Sequence, residues 1–253
     1  MMQTKKSLGQ HFLKSDKALA QIVAAGKLTP HDIVLEIGPG QGVLTERLLA
    51  YSEKVIALEK DRTLIPLLRE RFALELRIGK LELIEVDVLR YDMSLLPHSY
   101  KIIANIPYYI TGAIIEQFLG TAYQPSMMVL LVQKEVAERM VAKGGKESIL
   151  SIATKAYSVP HIIAKVPAGA FVPTPTVDSA IIALENISRD FFIGIQEEKF
   201  FTILKQAFGQ KRKTLGATLR PYLAALESAS INPKTRPEDL TLLDWRRLVR
   251  AIA

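Results

Sequence analysis

Ile33-Val34-Leu35-Glu36-Ile37-Gly38-Pro39-Gly40-Gln41-Gly42 is the stretch that decides the fold. Its first half is an apolar run of strand length, and glycines punctuate its second half. A helical pattern starts immediately, with Val43, Leu44, Leu48 and Leu49 on one side. Strand, glycine turn and helix in that order open a β/α crossover unit. Glycines at such a turn let a ligand approach the backbone, and the helix N-terminus adds positive potential. The spacing is Gly-x-Gly-x-Gly, which differs from the dinucleotide pattern Gly-x-Gly-x-x-Gly.

Working outward, Val55 to Leu58 reads as a second strand ending at Glu59, about twenty residues after the glycines, where a carboxylate takes ribose hydroxyls. Leu81 to Val86 is a third strand, ending at Asp87, which is placed to accept from an adenine amine. Lys101-Ile102-Ile103-Ala104 is a fourth, leading into Asn105-Ile106-Pro107-Tyr108. Open α/β sheets bind ligands at the carboxyl ends of their strands. Pro107 fixes φ and removes an amide donor, so the turn is stiff. The Asn105 amide oxygen and the Ile106 carbonyl each accept one N–H, and Tyr108 offers a flat face. That set suits a planar base carrying an exocyclic amine. Singly, these residues also read as a turn, a solvated strand end and a turn former. Four successive strands with a polar group at the same end read together as an S-adenosylmethionine site.

The 253 residues, 49% apolar, suffice for one large core and a smaller unit. The absence of cysteine excludes disulfides, a thiolate metal site and a cysteine nucleophile. His11, His31, His98 and His161 lack ligand spacing, so no metal is expected, and no Ser/His/Asp frame is recognisable. Met1 to Lys14 lacks an apolar signal core, and the apolar runs are too short to span a bilayer. A cytoplasmic protein without a membrane partner is expected. Of the net charge of +7, residues 1–14 carry +3, residues 15–185 carry −1 and residues 186–253 carry +5. Basic ends flanking a neutral body fit a polyanion held from both ends, although charge runs are also ordinary solvated faces.

Ser15 or Asp16 is expected to cap a helix with the stripe Leu19, Ile22 and Val23. Asp61 is expected to cap the helix of Leu64, Leu67 and Leu68. Met127 to Val132 reads as a fifth strand, Glu135 to Val141 as a helix, and Ile149, Leu150 and Ala153 as part of another. Lys143-Gly144-Gly145-Lys146 between them is an exposed connector or a loop over a substrate. His161 to Val166 and Val177 to Leu184 read as two last strands. The expectation is an α/β fold: a doubly wound, mostly parallel seven-stranded sheet ending in a hairpin. Helical patterns dominate from about Ile187, through Phe200, Leu204, Leu215 and Trp245. A catalytic domain over residues 1–186 and a small helical domain over 187–253 are expected.

Three further segments carry a family resemblance. Gly9-Gln10-His11-Phe12-Leu13, Phe171-Val172-Pro173-Thr174-Pro175-Thr176-Val177-Asp178-Ser179 and Phe208-Gly209-Gln210-Lys211-Arg212-Lys213-Thr214-Leu215 resemble boxes of the ribosomal RNA adenine dimethyltransferases. Asn105-Ile106-Pro107-Tyr108 resembles the Asn-Leu/Ile-Pro-Tyr form of the amino-methyltransferase signature. The resemblance spans nearly the whole chain and is greatest to the small-subunit, kasugamycin-sensitivity type. It implies transfer of methyl groups from S-adenosylmethionine to two adjacent adenines near the 3′ end of small-subunit ribosomal RNA, giving N6,N6-dimethyladenine during ribosome biogenesis. It places cofactor contacts on His11, Leu13, Gly38, Gly40, Glu59, Asp87 and Asn105. Asn105, Ile106, Pro107 and Tyr108 would engage the target base, with Phe171 as a second stacking face. Lys5, Lys6, Lys211, Arg212, Lys213 and Arg220 would meet RNA. His11 stands where many members have Asn, Ile106 where Leu is commoner, and Lys211 where Arg is frequent, which weakens bidentate phosphate contact there. The implied partner is RNA in an assembling small subunit, met by a monomer, with no DNA. Three other readings stay open: a resistance methyltransferase acting on large-subunit RNA, a DNA adenine methyltransferase, and a non-catalytic assembly factor.

Overall fold

The computed structural model describes residues 11–252. The expectations for Lys5, Lys6, Gly9 and Gln10 lie outside the described residues. The elements run β1 (Phe12–Leu13), α1 (Asp16–Ala25), β2 (Ile33–Ile37), α2 (Val43–Tyr51), β3 (Lys54–Glu59), α3 (Ile65–Arg71), α4 (Ala73–Arg77) and β4 (Leu81–Glu85). They continue with β5 (Lys101–Asn105), α5 (Thr111–Gly120), β6 (Met127–Gln133), α6 (Lys134–Met140), α7 (Ile149–Tyr157), β7 (Val159–Val166), β8 (Phe171–Val172) and β9 (Ser179–Glu185). The last helices are α8 (Glu197–Phe208), α9 (Leu215–Thr218), α10 (Leu223–Ser228) and α11 (Leu242–Ala251).

Seven strands form one sheet in the order β4-β3-β2-β5-β6-β9-β7. The pairs from β4 through β6 are parallel, and β9 runs antiparallel to β6. The expected terminal strand pair, β7 and β9, lies side by side at one edge. Strands β2, β5 and β6 are buried along most of their length, which explains their unbroken apolar runs. The chain walks outward from β2 to β4 and then returns to the other side of β2 with β5. That reversal puts the switch point of the sheet between β2 and β5, where open α/β sheets hold ligands. A separate two-stranded pairing joins β1 to β8, with Leu13 opposite Phe171.

Local chemistry fixes the ends of these elements. Ser15 caps α1, its hydroxyl accepting from the Ala18 N–H at 3.3 Å. Gly42 precedes α2 at φ +82, and a Cβ there would lie 2.5 Å from the Phe72 ring, so only glycine fits. Asp61 does not cap α3. Its carboxylate takes the N–H and hydroxyl of Thr63 instead, and α3 has Pro66 in its first turn.

The chain divides into two compact units, one of the described residues up to Ala137 with Pro160–Ile187, the other of Glu138–Val159 with the residues from Ser188 onward. The second unit therefore includes α7, which alternation along the sequence assigned to the first domain. The reason is aromatic packing: the Tyr157 ring sits 5.0 Å from Phe192 and 5.9 Å from Phe201. The Lys143–Lys146 connector is tied down by ion pairs of Lys143 to Glu138 and Lys146 to Asp239. In α11, a Thr241/Asp244 capping box starts the helix, and Trp245 is fully buried beside Phe208. Among the described residues no helix is long and apolar enough to cross a membrane.

Candidate cofactor and base site

A pocket opens at the carboxyl ends of β2, β3 and β5 and the turn after β4. Gly38, Gly40, Glu59, Asp87, Asn105 and Tyr108 all line it, together with His11 and Leu13. The glycine loop is pinned by the Gly38 N–H to the Leu58 carbonyl at 2.9 Å. Gly38 has φ +69, and a Cβ added to it would meet nothing within 4 Å. A ligand can therefore approach that backbone without displacing protein atoms.

Glu59 is 5% exposed, and both its oxygens accept backbone N–H groups, one of them from the glycine loop. One accepts from the Gly40 N–H at 3.2 Å, the other from the Asp61 N–H at 2.7 Å. Burial raises its carboxyl, the Asp61 and Gly40 N–H groups oppose the rise, and the Asp61 charge adds to it. Each oxygen keeps lone-pair capacity for a ribose hydroxyl. Asp87 is already engaged, with Lys60 Nζ at 2.7 Å and the Leu89 N–H at 3.1 Å. The Lys60 ammonium holds its carboxyl low, against burial. An adenine amine would have to share this carboxylate with Lys60, a partner that the strand pattern did not reveal.

Sequence reasoning passed over Glu36. It lines the pocket, is 1% exposed, and its Oε2 has no partner in hydrogen-bond geometry. Burial pushes its carboxyl up to about 8, with the Thr45 hydroxyl opposing and the Glu59 charge adding. The available signal was a carboxylate inside an apolar strand buried on both faces, since buried carboxylates are rare unless they are paired.

Asn105 ends β5, and its Nδ2 donates to the His11 carbonyl at 3.2 Å. A carbonyl accepts only, so this bond orients the amide and leaves Oδ1 free of it. The Ile106 residue is buried, and among the described residues no donor reaches its carbonyl. Pro107 O takes the Ile110 N–H at 3.2 Å, which tightens the turn. The Tyr108 hydroxyl lies 2.6 Å from the Ser179 hydroxyl, fixing the ring. Burial pushes the Tyr108 phenol up, and the Ser179 bond opposes this.

Phe171 differs from the sequence expectation, and the His11 side chain has contacts that the expectation did not include. The His11 ring stacks on Tyr108, centroids 5.9 Å apart at 21°, and its Nδ1 meets the Pro173 carbonyl at 2.7 Å. Its side chain thus braces the Asn-Ile-Pro-Tyr turn against the Pro-rich segment, and its backbone carbonyl orients Asn105. Phe171 is not a stacking face in this structure. It is 1% exposed, sits in the core cluster with Leu13 and Leu19, and lies outside the pocket lining. Strand alternation explains it: pairing with β1 turns Phe171 inward and leaves Val172 44% exposed.

In the second unit, Lys211, Arg212 and Lys213 occupy the turn between α8 and α9, and Arg220 follows α9. All four are exposed, and none is held in an ion pair among the described residues. Arg212 sits at φ +70, a conformation uncommon for a long side chain. No group of acidic and histidine side chains among the described residues could hold a metal ion.

Comparison with known proteins bears on this arrangement. Ribosomal RNA small subunit methyltransferase A of Dehalococcoides mccartyi is 40% identical over 258 residues, covering 98% of this chain and 88% of that protein. A dimethyladenosine transferase from Plasmodium falciparum superposes with a TM-score of 0.81 at 29% identity, covering 94% of this chain and 96% of that one. The 23S rRNA methyltransferase ErmE superposes with a TM-score of 0.76 at 26% identity, covering 95% of this chain and 98% of that one. The family model for ribosomal RNA adenine dimethylase matches residues 1–253, and the chain belongs to that family.

Proposed function

We propose that this chain transfers methyl groups from S-adenosylmethionine to N6 of two adjacent adenines near the 3′ end of small-subunit ribosomal RNA. The observation that carries this is the oriented Asn105 amide, beside the Ile106 carbonyl and the Tyr108 ring, at the switch point of the sheet. The residues present fit the cofactor: an open glycine cradle at Gly38, a buried ribose-facing carboxylate at Glu59 and a second carboxylate at Asp87. Bound there, S-adenosylmethionine supplies an electrophilic methyl group on its sulfonium sulfur.

The residues do the rest. An adenine amine is a poor nucleophile because its lone pair is delocalised into the ring. Asn105 Oδ1 and the Ile106 carbonyl accept its two hydrogens, favour a pyramidal nitrogen and stabilise the positive charge that develops there. Tyr108, held by Ser179 and His11, stacks on the unstacked base, an interaction of roughly 1–3 kcal/mol. Most of the rate gain then comes from holding the amine in line at about 3–3.5 Å. The methylated nitrogen is acidic enough to lose its proton to water, so no general base is required. After one transfer the amine keeps one hydrogen, which one acceptor still orients, and a second methyl group needs only space.

The small subunit is favoured over the large by the Asp178-Ser179 form, the basic Lys211–Lys213 turn and the 40% identity to a small-subunit methyltransferase. The basic turn is too small to select one site alone. Folded RNA in an assembling subunit supplies the rest of the specificity to a monomeric, cytoplasmic enzyme. Methyl transfer from labelled cofactor to undermethylated small subunits, to large subunits and to duplex DNA tests this. Label in the small subunit alone is expected. Equal label in large subunits or in DNA would overturn the assignment.

A further inference from the structure

Tyr109, next to the base-facing Tyr108, is 62% exposed yet lines the same pocket. An aromatic ring that faces water at a pocket mouth leaves a flat face open for stacking. Leu89, 39% exposed, lines the pocket from the turn after β4. Both residues sit on stiff supports. Tyr109 lies in the short 3-10 turn behind Pro107, and the Leu89 N–H is held by Asp87 at 3.1 Å. Gln117 of α5, the helix that follows the Tyr109 turn, donates to the Val88 carbonyl of the Leu89 turn at 3.1 Å. Positive charge borders this rim. Lys60 lines the pocket but is paired with Asp87 at 2.7 Å, so the cation left for a phosphate is Arg90, in the same short turn as Leu89. Arg90 is exposed.

An exposed aromatic face beside an apolar side chain and an exposed arginine is what a single-stranded nucleotide needs: a ring for its base and positive charge for its phosphate. We infer that Tyr109, with Leu89 and Arg90, forms a second nucleotide subsite that stacks the base next to the target adenine. This rests on the RNA reading above and extends it. Presenting the neighbouring base on Tyr109 keeps the strand unstacked at the pocket mouth. It also leaves the second adenine one step from Tyr108 for the next round.

The test measures methyl transfer to undermethylated small subunits by Tyr109→Ala, Tyr109→Leu and Tyr109→Phe, with cofactor affinity measured by calorimetry. Loss of one base–aromatic stack raises KM for subunits by about 5- to 150-fold in the Ala and Leu variants. Phe restores KM to within about twofold of the parent value by the same reasoning, since stacking needs the ring and not the hydroxyl. Cofactor affinity stays at the parent value in all three. Arg90→Gln should lower the log–log salt slope of RNA binding by about 0.7, the value for one phosphate contact on a single strand. An active parent with an unchanged KM in Tyr109→Ala would overturn the subsite alone, as would a loss of cofactor affinity that accounts for the whole effect. A parent that transfers nothing to small subunits would overturn the RNA reading as well.

Discussion

Replacing Asn105 with Ala separates catalysis from folding, because the side chain has two distinct jobs. Its Nδ2 makes one hydrogen bond, to the His11 carbonyl at 3.2 Å. Losing that bond costs about 1 kcal/mol of stability. For a chain of this size this lowers Tm by roughly 2–4 °C. Its Oδ1 is one of two acceptors for the amine. Removing one preorganised partner of a developing charge costs about 100- to 1000-fold in rate, or roughly 2.7–4 kcal/mol. The rate effect therefore exceeds the stability effect at least twofold in free energy. Asn105→Asp keeps an acceptor but sets an oxygen against the His11 carbonyl, so its rate should fall between those of Ala and the parent. Single-turnover transfer to small subunits at saturating cofactor reads the rate, and calorimetry and thermal melts serve as controls. A rate within a few-fold of the parent in a folded, cofactor-binding Asn105→Ala would refute the reasoning.

Glu59→Ala should weaken cofactor binding more than it slows turnover at saturating cofactor, since the ribose lies away from the moving methyl group; unchanged affinity by calorimetry would remove the ribose assignment. Neutralising Lys211, Arg212 and Lys213 together should flatten the salt dependence of RNA binding by up to about 2 in log–log slope, roughly 0.7 per lost phosphate contact. Cofactor affinity should not change, and an unaltered slope would mean that these residues are only a solvated turn. Glu36 gives a pH signature. The folded carboxyl titrates at about 8 and its ordinary value is 4.5, so between those pH values the folded chain holds a proton that the unfolded chain has lost. Stability therefore falls as pH rises through this window, by at most about 1.4 kcal/mol per unit, and levels off above it. Glu36→Gln removes the slope, so the variant gains on the parent between pH 5 and pH 8 in urea melts; parallel curves would show Glu36 ionised in the folded protein.

The sheet was legible because apolar strand-length runs, each followed by a polar residue, recur at regular spacing from Ile33 to Asn105. Those polar residues meet in one pocket because parallel strands all point their carboxyl ends the same way. What stayed hidden depends on contacts distant in sequence. Phe171 looked like a stacking face beside prolines, but its pairing partner, Leu13, lies far away along the chain and turns it into the core. The same antiparallel pairing brings His11 to Asn105 and Tyr108, a bracing role that no local pattern records. Helix α7 has an ordinary amphipathic pattern, which shows that it has a buried face but not which unit buries it. Glu36 was hidden by its neighbours, since an apolar run draws attention away from the one carboxylate inside it.

The central claim is that the Asn105–Tyr108 turn places an adenine amine of small-subunit RNA for two successive methyl transfers. Mass spectrometry of nucleosides from undermethylated small subunits, treated with the protein and S-adenosylmethionine, tests it most directly. The account predicts N6,N6-dimethyladenine at two adjacent positions, with the monomethyl form rising and then falling. Monomethyladenine as the sole end point, or no methylated adenine at all, would contradict it.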